Sequence, residues 1–212
     1  STLIGVPIGL GLGILAALRK NKWQDQVIST GVMVLIAVPS IVYAFLIQYI
    51  FCFRLKLFPL MMESGTDYFS WSMFRSMLPA VLSLCLGSIA GYARYTRAEL
   101  TEVLTGEFML LARTKGLTRA QATLRHALRN AMVPIFPMIL SEFVSVLSGS
   151  MIIENIFSIP GVGMLYLTSI QVVDYDFFLL LSGFYTLVGL LAGIIVDISY
   201  GFIDPRIRMG AR

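Results

Sequence analysis

FFLLLSGFYTLVGLLAGIIVDI, residues 177–198, holds one carboxylate, Asp197, and no basic residue. A helix needs roughly 20 predominantly apolar residues to cross the hydrocarbon core of a bilayer. This stretch has that length. Its apolar residues run without the strict alternation of a lipid-facing barrel strand, so a spanning helix is predicted. Four more apolar stretches precede it, at 2–18, 27–53, 77–93 and 131–153. The predicted fold is an all-α membrane protein of about five transmembrane helices.

Composition agrees with that class. Apolar residues make up 57% of the 212, and charged residues only 13%, against about 25% in a soluble domain. A water-soluble particle of this size cannot hide so much apolar surface, so a lipid bilayer is the expected solvent. The stretch 2–18 is the shortest, and its cations, Arg19, Lys20 and Lys22, come after it. A signal peptide carries them before its apolar run. Residues 2–18 therefore read as a helix cut at its start, in a chain expected to continue upstream.

The basic residues orient the helices. If all five stretches cross, Arg19, Lys20, Lys22, Arg94, Arg97, Arg113, Lys115, Arg119, Arg125, Arg129, Arg206, Arg208 and Arg212 share one side. Only Arg54, Lys56 and Arg75 fall on the other. Cytoplasmic loops carry the Lys/Arg excess, so the C-terminus is predicted to be cytoplasmic. No nucleic-acid partner is expected.

Small residues four apart line several spans: Gly5, Gly9 and Gly13; Gly87 and Gly91; Gly189 and Gly193. They allow close helix approach, within one subunit or between two. Pro39, Pro134 and Pro137 each remove a backbone donor and can kink a helix, beside a pathway or as ordinary membrane-helix features. Cys52 and Cys85 fit no metal or redox spacing and read as small hydrophobes. His126 is the sole histidine and reads as a polar residue of a cytoplasmic helix.

The polar stretch 94–130 is patterned as helix, turn, helix. Leu100, Val103, Leu104, Phe108 and Leu111 make one apolar stripe. Arg113 and Lys115 sit where a helix C-terminus favours cations. Gly116 suits the left-handed stop, and Thr118 with Gln121 forms a capping box opening the next helix. Leu124 and Leu128 continue an apolar face. From patterning alone, the element is either an amphipathic helix resting on lipid or a docking knob for a cytoplasmic partner.

ARTKGL at 112–117, RHALRNA at 125–131 and Pro134 are similar to the cytoplasmic loop of ABC importer permeases of the oligopeptide/dipeptide/nickel branch. GSMIIE at 149–154, IPGVG at 159–163, Asp197 and DPRIR at 204–208 agree with that branch. The resemblance covers essentially all of 1–212. It implies a type I importer permease fold, a single transmembrane domain whose family core has six helices, the first absent here together with an external segment. It places the protein in a prokaryotic cytoplasmic (inner) membrane. It implies a coupling loop at 94–130, with Glu107, Phe108, Leu111, Ala112, Arg113, Lys115, Gly116 and Leu117 in the groove of a separate ATPase. It implies a second homologous permease subunit, two ATPase subunits that bind the ATP and Mg, and an extracytoplasmic substrate-binding protein facing the loop 154–176. Tyr68, Phe69 and Trp71 read as part of that docking rim or as interface anchors.

The chain itself has no GxxxxGK[ST] phosphate loop and no HExxH. It is expected to be no enzyme, to hold no cofactor or metal, and to have no catalytic residue. Glu142 lies deep in the span 131–153, where an ionisable group usually faces a cavity or a partner. It departs from the family pattern. With Ser145 and Pro137 it is a candidate for the translocation pathway, or it pairs with a neighbour. Asp197 reads as structural. The rival function is a stand-alone secondary transporter or channel, but such proteins often show internal repeats and several deep charges, and only Glu142 lies deep here.

Overall fold

The computed structural model describes residues 1–65, 67, 69–107, 109, 114, 116–145 and 149–203. Among them the regular elements are all helices: α1 (Thr2–Leu18), α2 (Trp23–Ala37), α3 (Ser40–Ile47), α4 (Trp71–Thr105), α5 (Arg119–Ala122), α6 (Leu128–Ser145), α7 (Met151–Phe157), α8 (Val162–Gln171) and α9 (Tyr175–Ile203). Wide π-helical turns at Gln48–Arg54 and Thr123–Ala127 extend α3 and lead into α6.

Among the described residues three helical runs, Trp71–Thr105, Ala120–Ser145 and Tyr175–Gly201, are long and apolar enough to cross a membrane. The number rises to five if the broken pairs α2–α3 and α7–α8 each count as one span. Two boundaries differ from the sequence expectation. The stretch 27–53 is not one helix, because Pro39 ends it: proline lacks the N–H that would continue the ladder and disfavours helix at the residue before it. The stretch 131–153 is not one helix. Ile153 belongs to α7, after Gly149 has taken a left-handed φ of 67°.

Helix α4 is longer than expected. Its 35 residues span about 50 Å at ~1.5 Å per residue, well over the ~30 Å hydrocarbon core. The polar segment beginning at Arg94 therefore starts as a helical extension rather than a loop.

The chain divides into two compact units. The loop-bearing unit comprises the described residues within 2–37, 87–140 and 196–203. Here the glycine stripe of α1 lies against α4. A Cβ on Gly9 would sit 2.7 Å from Tyr92 Cβ, and one on Gly13 would sit 2.6 Å from Thr96 Cβ. Only glycine permits this approach. Val6, Tyr92 and Ile135 form one buried cluster and Val32, Ala90 and Ala93 another. Gly87 and Gly91 meet nothing within 4 Å, and the same holds for Gly189 and Gly193 of the other unit.

The hairpin-bearing unit comprises Ser1, 38–86 and 141–195. Its core is Ala44, Ala80, Ile153 and Phe157. Helices α7 and α8 are bent by 88° at their break, where Ser158 takes a left-handed φ of 53°. The Gln48 side-chain amide donates to the carbonyls of Ile156 (2.9 Å) and Leu60 (3.0 Å). The Met62 N–H donates to the Phe157 carbonyl at 2.8 Å. The contacts at Leu60 and Met62 thus anchor the segment that follows α3 and its wide turn.

Candidate functional site

The last turn of α4 tightens before the loop: the Thr105 hydroxyl donates to the carbonyls of Thr101 and Glu102, and the Gly106 N–H to that of Val103. Glu107 beyond it is exposed. Gly116 is exposed with φ 81°, in the left-handed region. A Cβ there would meet nothing, so glycine is demanded by backbone conformation and not by space. The Thr118 N–H donates to Gln121 Oε1 (3.1 Å), and the Gln121 N–H to Thr118 Oγ1 (3.3 Å). This is the reciprocal capping box the sequence predicts. Phe108, Leu111, Ala112, Arg113 and Lys115 lie outside the described residues.

The described part of the apolar stripe packs on protein. Leu100 and Met109 are buried with Ala17, Ala122, Ala127 and Ala131, and Ile14, Val103, Leu104, Leu117 and Leu128 close around them. Alanines at the contact bring the segment after Gly116 close to the end of α1. Arg125, His126 and Arg129 remain exposed. Leu100, Val103, Leu104 and Leu128 thus face inward, whereas Leu124, expected on the same face, is 67% exposed with the charges and the imidazole, because two residues past the buried Ala122 a helix has turned about half-way round.

Beneath the loop sits a buried ion pair that sequence reasoning missed. Asp25, in the first turn of α2, is 2% exposed. Its Oδ1 accepts from Arg97 Nε (2.5 Å) and Ser29 Oγ (3.2 Å), and its Oδ2 from Arg97 Nη2 and the Asn21 N–H (both 2.9 Å). The fork of the guanidinium matches the two carboxylate oxygens, the geometry arginine is suited to. Asn21 makes the α1–α2 turn with φ 65°. The partners stand 72 residues apart, and no local pattern links them.

A second buried carboxylate organises the hairpin. Glu154, 8% exposed, accepts from the Ser150 N–H (2.9 Å) and the Met164 N–H (3.0 Å). These N–H groups belong to the starts of α7 and α8, where backbone donors are orphaned and the helix dipole favours negative charge. Three glycines surround it. A Cβ on Gly149 or Gly161 would collide with the Glu154 carboxylate, and one on Gly163 would sit 2.7 Å from Met151 Cα. The sequence motifs GSMIIE and IPGVG are therefore two halves of one carboxylate cradle.

The pathway candidates are spread along α6. Pro137 is fully buried. Glu142 is half-buried, and Ser145 is exposed with its hydroxyl on the Glu142 carbonyl at 2.7 Å. The structure joins Ser145 to the Glu142 backbone. Among the described residues no group of three His, Cys, Asp or Glu side chains is placed to hold a metal ion.

Residues 9–209 match the family model of the binding-protein-dependent transport system inner membrane component. The chain belongs to this family. It is 35% identical over 207 residues to the dipeptide transport system permease protein DppB of Bacillus subtilis, covering 98% of this chain and 65% of that protein. It is 35% identical to the oligopeptide transport system permease protein OppB of Salmonella typhimurium (97% and 65% covered). It is 33% identical to the glutathione transport system permease protein GsiC of Escherichia coli K12 (98% and 65%). The chain thus spans about 65% of the length of these relatives. A solved structure titled as a crystal structure of an amino acid ABC transporter with histidines superposes with a TM-score of 0.67 at 20% identity, covering 94% of this chain and 87% of that one. The fold is the type I importer permease fold, in an inner-membrane component of the binding-protein-dependent family.

Proposed function

We propose that this chain is the membrane-spanning permease subunit of an ATP-driven importer of short peptides, forming half of the translocation pathway and coupling to a separate ATPase. The observation that carries the reading is the loop: a helical extension, a left-handed glycine at Gly116 and a capped helix, with the apolar stripe turned onto α1 and the charges outward. A lever needs that construction. One face must be fixed to the spans and the other left for a partner. The contact is Glu107 to Leu117, including Phe108, Leu111, Ala112, Arg113 and Lys115.

ATP and Mg belong to two ATPase subunits, and this chain performs no chemistry. A second homologous permease completes the pathway. An extracytoplasmic binding protein delivers substrate to the side of residues 154–176, and the C-terminus is cytoplasmic. Glu142 and Ser145 line the pathway. The substrate class follows from the relatives, whose names give dipeptide, oligopeptide and glutathione transport. A Gly116→Val variant tests the reading in the purified complex. The chain is expected to insert normally while the ATPase dissociates or hydrolyses ATP without transport. Normal coupling in that variant overturns the assignment.

A further inference from the structure

We infer that Asp25 and Arg97 are positioning residues of the transport cycle, clamping α1, α2 and the second half of α4 into one rigid mount so that a push on the loop moves the helices together. The inference rests on the coupling role proposed for the loop. It starts from saturation. A carboxylate offers about four acceptor sites, and each Asp25 oxygen here takes two donors. With nothing left to accept another donor and only 2% exposure, Asp25 is closed to substrate. Its role is in the connections it makes.

Those connections reach three places: the α1–α2 turn through Asn21, α2 through Ser29, and α4 through Arg97. The same point of α4 is gripped from a second side. A Cβ on Gly13 would lie 2.7 Å from the Ala93 carbonyl and 3.1 Å from the Arg97 nitrogen, so α1 lies on the backbone that carries the guanidinium. The grip is nine residues before Gly106, about 13 Å along the helix at ~1.5 Å per residue. Between grip and bend, Leu100, Val103 and Leu104 pack with Ile14 and Ala17.

An apolar contact could hold the helices together equally well. The forked ion pair adds a fixed direction, because two parallel N–H bonds define an orientation where a methyl contact allows sliding. A mount that transmits force needs direction. Lysine would keep the charge and lose the fork.

The test uses the whole transporter, this chain with its partner subunits, in proteoliposomes, with ATP hydrolysis and peptide uptake measured in parallel. Asp25→Asn and Arg97→Lys are expected to leave the complex assembled and hydrolysing ATP, while uptake per ATP falls severalfold. Should Asp25→Asn fail to assemble, Arg97→Lys answers by the same ratio. Wild-type uptake per ATP in Arg97→Lys overturns the inference. A wild-type chain that retains no ATPase on purification defeats the coupling reading instead, so the two failures are distinguishable.

Discussion

Asp25 and Glu154 are both carboxylates withdrawn from solvent, one in each unit, and they are compensated by different means. Asp25 is met by a full positive charge on a long side chain, supplied from a helix 72 residues away. Glu154 is met by backbone N–H groups at two helix starts, with glycines clearing the space around it. The first arrangement depends on a partner that can be removed by one substitution. The second depends on the path of the main chain, and a side-chain change elsewhere leaves its donors in place. A charge partner binds distant helices, whereas peptide donors set the angle of neighbouring ones.

The largest expected effect comes from Arg97→Ala. It strands Asp25 as a buried charge, a loss on the order of 3 kcal/mol. Asp25→Ala is expected to lose less, since the Arg97 side chain is 34% exposed and can turn to water. Thermal unfolding of both in the same detergent checks the asymmetry; equal losses would mean that Asp25 is not the trapped member. Next is Glu154→Gln, nearly isosteric, which points an amide donor at one of the two N–H groups. About 2 kcal/mol is expected, read as faster amide exchange across 150–164 with no change around Asp25. If exchange stays slow, the charge was incidental and packing holds the hairpin.

Gly13→Ala is smaller. Its methyl meets Thr96 Cβ and the Ala93 carbonyl, and overpacking of this kind amounts to about 1–2 kcal/mol. The expected signature is easier proteolysis near the α1–α2 turn. Smallest is Gly116→Ala, where space is open and only the left-handed conformation resists, about 1 kcal/mol. Stability should barely move, and any loss should appear in ATPase retention.

What was legible in the sequence follows the same division. Everything set by local chain geometry could be read: the Gly116 stop, the Thr118–Gln121 box, the stripe from Leu100 to Leu104, and the glycine spacing that seats α1 on α4. The Glu154 cradle was half-legible, because its glycines and acid form motifs, but nothing in them says that they close on one another. The Asp25–Arg97 pair was invisible. Arg97 was one cation among many in a polar segment, and only the three-dimensional course of α4 brings it under α2. Pro39 is legible as a residue that can kink its helix, yet continuous hydropathy makes 27–53 read as one stretch; the missing backbone donor ends α2 at Ala37 instead. Pro137, proposed for the pathway, is buried among its neighbours. Proline marks where a helix bends more plainly than which way it faces.

The wide turn at Thr123–Ala127 has a consequence for chain length. The buried alanines Ala122, Ala127 and Ala131 are spaced five and then four, a count that an unbroken α-helix of 3.6 residues per turn would not place on one side. Deleting a single residue within that turn would leave the three alanines spaced four and four, steps of about 40° in an ordinary helix, and so still on one side. Deleting one from the regular helix that follows would instead turn everything after it by about 100°. The wide turn should therefore tolerate the loss of one residue better than the regular helix beside it.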